Sequence, residues 1–277
     1  MTTRTGISGT TSGATATDDV LFIGNATLLI RYAGLTLLTD PNFIHAGEEI
    51  PLGYGLTTRR LTNPAMEIED LPQLDAVVLS HFHADHFDRL AEERLPRRLP
   101  IVTTPDAAAA LTDRGFTATR PLDTWQATEI AGPEGSCEIR SMPGRHAPSV
   151  LSVALPEVMG SLLELRRAGA ETTALRIYLS GDTIVYEGLR EIPEREPVVD
   201  LAFLHLGGTR VMGVTVTMDA EQGVELLELL RPRLAIPIHY DDYEAFKSPL
   251  SDFVNAVVDA GLEENVRYVA RGDRLPL

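Results

Sequence analysis

Along the chain, short apolar runs alternate with turn-forming residues, and that alternation predicts most of the elements. Residues 20–24, 26–32 and 35–39 are dense in Val, Ile, Leu and Phe, and Gly24-Asn25 and Ala33-Gly34 separate them. They read as a meander of antiparallel strands. Residues 40–69 are punctuated by Gly and Pro and read as one long loop, a length that compact domains usually keep for function. Asp75 to Ser80 is a nearly all-apolar strand leading into a polar turn, and residues 101–104 form another strand. Pro105 to Arg114 predicts a helix, with Pro early and Gly115 just past its end.

Residues 127–131 and 137–142 continue as strands. Residues 149–155 and 160–165 could pair around Pro156. Residues 158–168 would also suit a helix, but Gly169 and the alternation Leu175, Ile177, Leu179 favour a hairpin. Residues 200–206 predict a strand, 219–230 a helix with Asp219 as a plausible N-cap, and 234–239 a strand. A helix over 250–260 closes at Gly261, and 266–270 is the last strand. Met1 to Thr17, rich in Thr, Ser, Gly and Ala, reads as a flexible N-terminal tail without a signal-peptide pattern. No composition break divides residues 18–277, so one domain with two sheets and outer helices is the simplest architecture.

Charge narrows the partners. The 277 residues carry 40 acidic against 24 basic side chains, a net charge of −16. Nucleic acid requires a basic footprint, and an anionic membrane surface is disfavoured for the same reason. No apolar run approaches the ~20 residues that span a bilayer. A cytoplasmic protein without stable membrane association is expected, acting on a small-molecule substrate; a homo-oligomer is compatible with the sequence. The single Cys137 permits no intrachain disulfide and reads as a small buried residue.

The densest chemistry is Ser80-His81-Phe82-His83-Ala84-Asp85-His86, directly after the strand at 75–80. In extended backbone His81 and His83 point to one side, while Asp85 and His86 on a tighter turn can face a second point nearby. That layout suits two adjacent metal ions with a water between them. A chance polar turn is a poor account of three His and one Asp in six positions.

The motif resembles the H-x-H-x-D-H signature of the metallo-β-lactamase superfamily. Gly144-Arg145-His146, Ser180-Gly181-Asp182-Thr183 and Pro237-Ile238-His239-Tyr240 follow in the superfamily's order. The resemblance implies an α+β fold: a four-layer αββα sandwich of two mixed sheets flanked by helices. It implies that His81, His83 and His146 bind a first metal, that Asp85, His86 and His239 bind a second, and that Asp182 bridges them. Such a site has only N and O ligands and suits two divalent ions, most naturally Zn, with Mn or Fe also fitting. Gly24-Asn25-Ala26-Thr27 and Leu38-Thr39-Asp40-Pro41 resemble the branch containing ascorbate-6-phosphate lactonase and N-acyl-phosphatidylethanolamine phospholipase D. In that branch Asn25 is commonly His, so its substrates are not carried over. Export-signal and bridging-Asp patterns separate the chain from the true β-lactamases.

The implied activity is metal-dependent hydrolysis, by a hydroxide held between the metals, of a small-molecule ester, lactone or amide. Asp85 would also hold the nucleophile's proton. The alternatives are a phosphodiesterase acting on a lipid headgroup or nucleotide, and a non-catalytic metal-binding or regulatory protein. Asp40 is either an outer residue orienting a metal-bound His or a turn residue before Pro41. His205 is either a proton donor to the leaving group or a structural histidine. Asp219 either lies near the metals or caps a helix, or both. Arg59, Arg60, Arg145 and Arg210 are candidates for an anion clamp, and Phe43, Tyr54 and Trp125 for a substrate mouth. His45 has no assigned role.

Overall fold

The structure is a computed structural model that describes residues 18–53, 56–148, 156–173, 175–211 and 213–277. The tail at 1–17, the strand expected at 149–155 and Tyr54 lie outside the described residues.

Strands β1 (Asp19–Gly24), β2 (Thr27–Tyr32) and β3 (Leu35–Thr39) form the expected antiparallel meander. Asn25 and Ala33 take left-handed backbone in its turns. The segment expected to be a loop instead holds a hairpin, β4 (Glu49–Gly53) and β5 (Leu56–Arg59). Then come β6 (Ala76–Val78), helix α1 (Arg89–Arg94), β7 (Ile101–Thr103), α2 (Pro105–Asp113) and β8 (Thr119–Pro121). The remaining elements are β9 (Ala127–Ala131), β10 (Gly135–Met142), β11 (Gly160–Arg167), β12 (Leu175–Leu179), α3 (Glu191–Arg195), β13 (Leu201–His205), β14 (Arg210–Val211), β15 (Val214–Thr215), α4 (Ala220–Leu230), β16 (Leu234–Ile238), α5 (Leu250–Ala260) and β17 (Arg274–Pro276).

Two mixed sheets result. The first runs β17-β1-β2-β3-β6-β7-β8 and turns parallel from β3 onward. The second runs β16-β13-β12-β11-β10-β9 and is parallel across β12, β13 and β16. Period-two alternation assigns the faces. Val20 and Phe22 of β1 and Leu201 and Phe203 of β13 fill the core between the sheets. Leu21 and Ile23 face outward onto Ala91 of α1 and Ala107 and Leu111 of α2. Ala202 and Leu204 face outward onto Leu226 and Leu227 of α4 and Phe253 and Val257 of α5. The layers are therefore α, β, β, α, as the resemblance implied.

The strand expected at 266–270 does not form. Val266 makes only an isolated bridge to Ala235, and the last strand is β17, which pairs with β1 at the edge of the other sheet. The 158–168 segment is a strand, and β11 and β12 pair as the expected hairpin. No helix among the described residues is long and apolar enough to cross a membrane.

Phe203 is fully buried between the sheets. Phe203→Ala should lower unfolding free energy by about 3–5 kcal/mol, read by urea denaturation, whereas a loss under about 1 kcal/mol would mean the inter-sheet core is not packed this way.

Candidate metal centre

The site lies where parallel strands of both sheets end. Asp40 follows β3 and Ser80 closes the segment after β6, its parallel neighbour. Asp182 follows β12, His205 ends β13, and His239 follows β16, three adjacent parallel strands. His146 comes from the segment after β10. Each sheet thus delivers its chemistry-bearing residues at carboxyl ends, the usual place for ligand sites in parallel sheets.

Two tight turns aim the side chains. After Ser80 the chain folds back, with His86 and Phe87 N–H donating to the His83 carbonyl at 3.0 and 2.7 Å. After Ser180, Gly181 takes left-handed backbone at φ +61°, and a Cβ there would sit 2.6 Å from the Met159 carbonyl oxygen. Only glycine lets the strand end approach that closely.

Possible ligand atoms converge in three groups. His81, His83 and His146 form the first, Asp85, His86, Asp182 and His239 the second, and Asp40, His86 and His205 a third that shares His86, each with its atoms within 4.8 Å of one another. His81 Nε2 and His146 Nε2 lie 2.9 and 3.3 Å from His83 Nδ1. In the second group, His86 Nε2 lies 3.4 Å from Asp182 Oδ1, and His239 Nε2 lies 3.4 Å from Asp85 Oδ2. The His81 and His86 ring centroids are 4.2 Å apart, so the groups adjoin. Asp182 is gathered with the second group.

The outward-facing ring nitrogens set the tautomers. His146 Nδ1 donates to the Val216 carbonyl at 2.6 Å, and His239 Nδ1 to the Leu206 carbonyl at 2.9 Å. His81 Nδ1 meets Ser80 Oγ at 3.0 Å, and His86 Nδ1 meets Asp40 Oδ2 at 3.3 Å. In each case Nε2 is left facing the interior. Thr217 Oγ donates to Asp182 Oδ2 at 3.0 Å, leaving Oδ1 facing inward. His86 Nε2 and Asp182 Oδ1 are buried without a hydrogen-bond partner. Buried polar atoms of this kind are normally satisfied. A divalent cation fits this donor set, because all the convergent atoms are imidazole nitrogen or carboxylate oxygen. Cys137 takes no part: it is buried in the inter-sheet core, where burial pushes its thiol pKa up.

Burial and neighbouring charge act in opposite directions on the first two groups. Burial pulls His81 well below the ordinary histidine value and His83 down to about 4. In the second group burial would neutralise the carboxylates and imidazoles, but their mutual attraction wins. Asp85 and Asp182 are held below the usual carboxylate range, and His86 and His239 above the usual histidine range.

Asp40 supports His86, one of the two alternatives its position allowed. It accepts from Ser80 N–H and Oγ–H at 2.7 and 3.0 Å while its other oxygen faces His86. His205, by sequence either a proton donor or a structural histidine, lies beside Asp40. It is 1% exposed, its Nε2 faces Asp40 Oδ2 at 3.5 Å, and Ser180 Oγ holds its other nitrogen. Asp219 is the N-cap of α4, accepting from Gln222 N–H at 3.2 Å. It shares a cavity with exposed Arg210, Lys247 and Asp252 rather than with the metal ligands. Arg145 lies beside His146 in another cavity, its guanidinium 4.1 Å from the Tyr186 ring centroid. Phe43 is core, Trp125 packs under Arg195, and exposed Arg59 pairs with Glu49. His45 pairs with Glu67 on the surface.

Arg60 is not an anion clamp but a fully buried strut. It binds Asn42 and lies 3.6 Å from Asp242, which in turn accepts from Asn25 N–H at 2.9 Å. Asn25, at φ +51°, donates its side-chain amide to the Asp85 carbonyl at 2.7 Å, and its own carbonyl accepts from His239 N–H at 3.1 Å. One residue therefore fixes the backbone of two second-group residues. Asp88 likewise caps α1 and accepts from Phe43 and Ile44 N–H. Asp88 had a readable cap signal; Arg60 and Asp242, far apart in sequence, had none.

A sequence profile of the Beta-lactamase superfamily domain matches residues 37–240. A UPF0173 metal-dependent hydrolase of Staphylococcus carnosus is 26% identical over 238 residues, covering 85% of this chain and 91% of that one. The isothiocyanate hydrolase from Delia radicum gut bacteria superposes with a TM-score of 0.78 at 23% identity, covering 94% of this chain and 99% of that one. Igni18, a metallo hydrolase of Ignicoccus hospitalis, superposes with a TM-score of 0.68 at 21% identity, covering 95% and 99%. These solved structures share the fold.

Two predictions follow from the ligand environment. Asn25→Gly keeps the left-handed turn but removes the amide donor, and should weaken binding of the second equivalent of metal by about 10- to 100-fold in a chelator competition; unchanged affinity would show that the Asp85 backbone needs no such tether. Because neighbouring carboxylates raise His86 and His239 while burial lowers His81 and His83, metal should displace protons mainly from the second group. Affinity there should rise as pH increases above the ordinary histidine value, with proton release measurable by calorimetry in buffers of different ionisation enthalpy, and identical pH dependence for both equivalents would contradict the assignment.

Proposed function

Because the chain belongs to the Beta-lactamase superfamily and is a metal-dependent hydrolase of that fold, we propose that it uses two metal ions to hydrolyse a small-molecule ester, lactone or amide. The observation that supports this most directly is the pair of buried, unpartnered atoms His86 Nε2 and Asp182 Oδ1, 3.4 Å apart amid convergent imidazoles. In this reading His81, His83 and His146 hold the first ion, Asp85, His86 and His239 the second, and Asp182 both. Zn is the first choice, with Mn or Fe accommodated by the same ligands.

When bound, such ions would lower the pKa of water toward ~7 and polarise the substrate oxygen. The chain's own groups do the rest. Val216 and Leu206 carbonyls fix His146 and His239 with Nε2 inward. Asp40 orients His86, and His205 stands behind Asp40 as a positioning residue. Asp85, whose carboxylate accepts from no backbone N–H among the described residues, would hold the nucleophile's proton in place.

Metal analysis of the purified chain should find about two equivalents. Asp182→Ala and His86→Ala should each lose metal and reduce hydrolysis of a lactone and ester panel by about 100-fold or more. Full metal and full activity in both variants would overturn the assignment.

A further inference from the structure

Resting on that hydrolase reading, we infer that the substrate carries an uncharged hydrocarbon group, held in the cavity between the β4–β5 hairpin and the turn from His81 to Phe87. The cavity is about 460 Å³, and Ile44, Ile50, Phe82, His83, Ala84 and Phe87 supply its walls. Glu48, Glu49, Arg89, Glu92 and Arg114 complete the lining with Pro51, and His83 belongs to the first metal group, so a molecule in the cavity lies against a residue of that group. The Phe82 and Phe87 rings lie 5.7 Å apart, and Ile44 and Ile50 form a buried cluster with Tyr243 behind the opposite wall.

The charged residues of the lining are exposed or half-buried and paired, Glu49 with Arg59 among them. Arg89 meets Glu48 at 2.6 Å and Arg114 meets Glu92 at 3.3 Å, with the Arg114 guanidinium over the Phe82 ring. An anionic group entering here would lose water and meet cations already neutralised, whereas a hydrocarbon gains by leaving water. A second cavity, of about 420 Å³, takes its wall from His146 of the same metal group and is polar, with Asp123, Arg145 and Glu157. The first metal position is therefore flanked by one apolar and one polar recess. The substrate's apolar part belongs in the first and the more polar fragment in the second.

The test uses the zinc-loaded full chain and two hydroxamic acids with the same metal-binding head. Hexanohydroxamic acid should bind about tenfold or more tightly than acetohydroxamic acid in calorimetry, because the added methylenes leave water. Ile50→Asp and, separately, Phe82→Ala should bring the ratio of the two affinities toward one. Equal affinities in the unaltered chain, or a ratio untouched by both substitutions, would overturn the inference while leaving the metal-centred reading standing. Failure of both acids to bind would remove that reading and this inference with it.

Discussion

The rest of the structure depends on holding opposite charges together in a place without water. Asp40, Asp85 and Asp182 lie buried among His81, His86, His205 and His239. Moving an isolated ion into such surroundings costs several kcal/mol or more, and only opposite charge or oriented dipoles at contact distance offset it. Every outer interaction at the site serves that end. Ser80 and Thr217 donate to the carboxylates, the Val216 and Leu206 carbonyls accept from the imidazoles, and a bound cation would complete the balance at the inward-facing atoms.

This arrangement explains the layering. Parallel strands end on the same side, so β3 with β6, and β12 with β13 and β16, set their terminal side chains in rows. Antiparallel neighbours would send alternate ends away from the site. The antiparallel portions, β17-β1-β2-β3 and β9-β10-β11-β12, extend the inter-sheet core to which the parallel strands also contribute. The same economy of position makes Asn25 a hub, since the tight turn after β1 brings it beneath both Asp85 and His239.

Much of this was legible in the chain. Apolar runs located β1 to β3, β6, β7, β9 to β13 and β16, and capping residues located α2, α4 and α5, because those elements bury one or both faces over several residues. The three-residue strands β8 and β17 and the six-residue α1 are too short to carry a period. The β4–β5 hairpin was hidden because it belongs to neither main sheet and exposes Glu49, Pro51, Thr57 and Arg59. Val266 to Ala270 looked like a strand because it is apolar, yet it packs beside β16 without continuing the ladder. At the site, the histidine cluster was readable as chemistry. The direction of His205, the burial of Arg60 and the links from Asp242 to Asn25 depend on residues brought together only by folding.

Each ligand group draws on both sheets: His81, His83, Asp85 and His86 from the first, His146, Asp182 and His239 from the second. Neither group exists in a half-assembled sandwich. A cation bound across them would act as a cross-link between layers that are otherwise joined by dispersion and hydrophobic contact. Its affinity and the docking of the two sheets then become one equilibrium, so raising the free ion concentration tightens the whole molecule logarithmically.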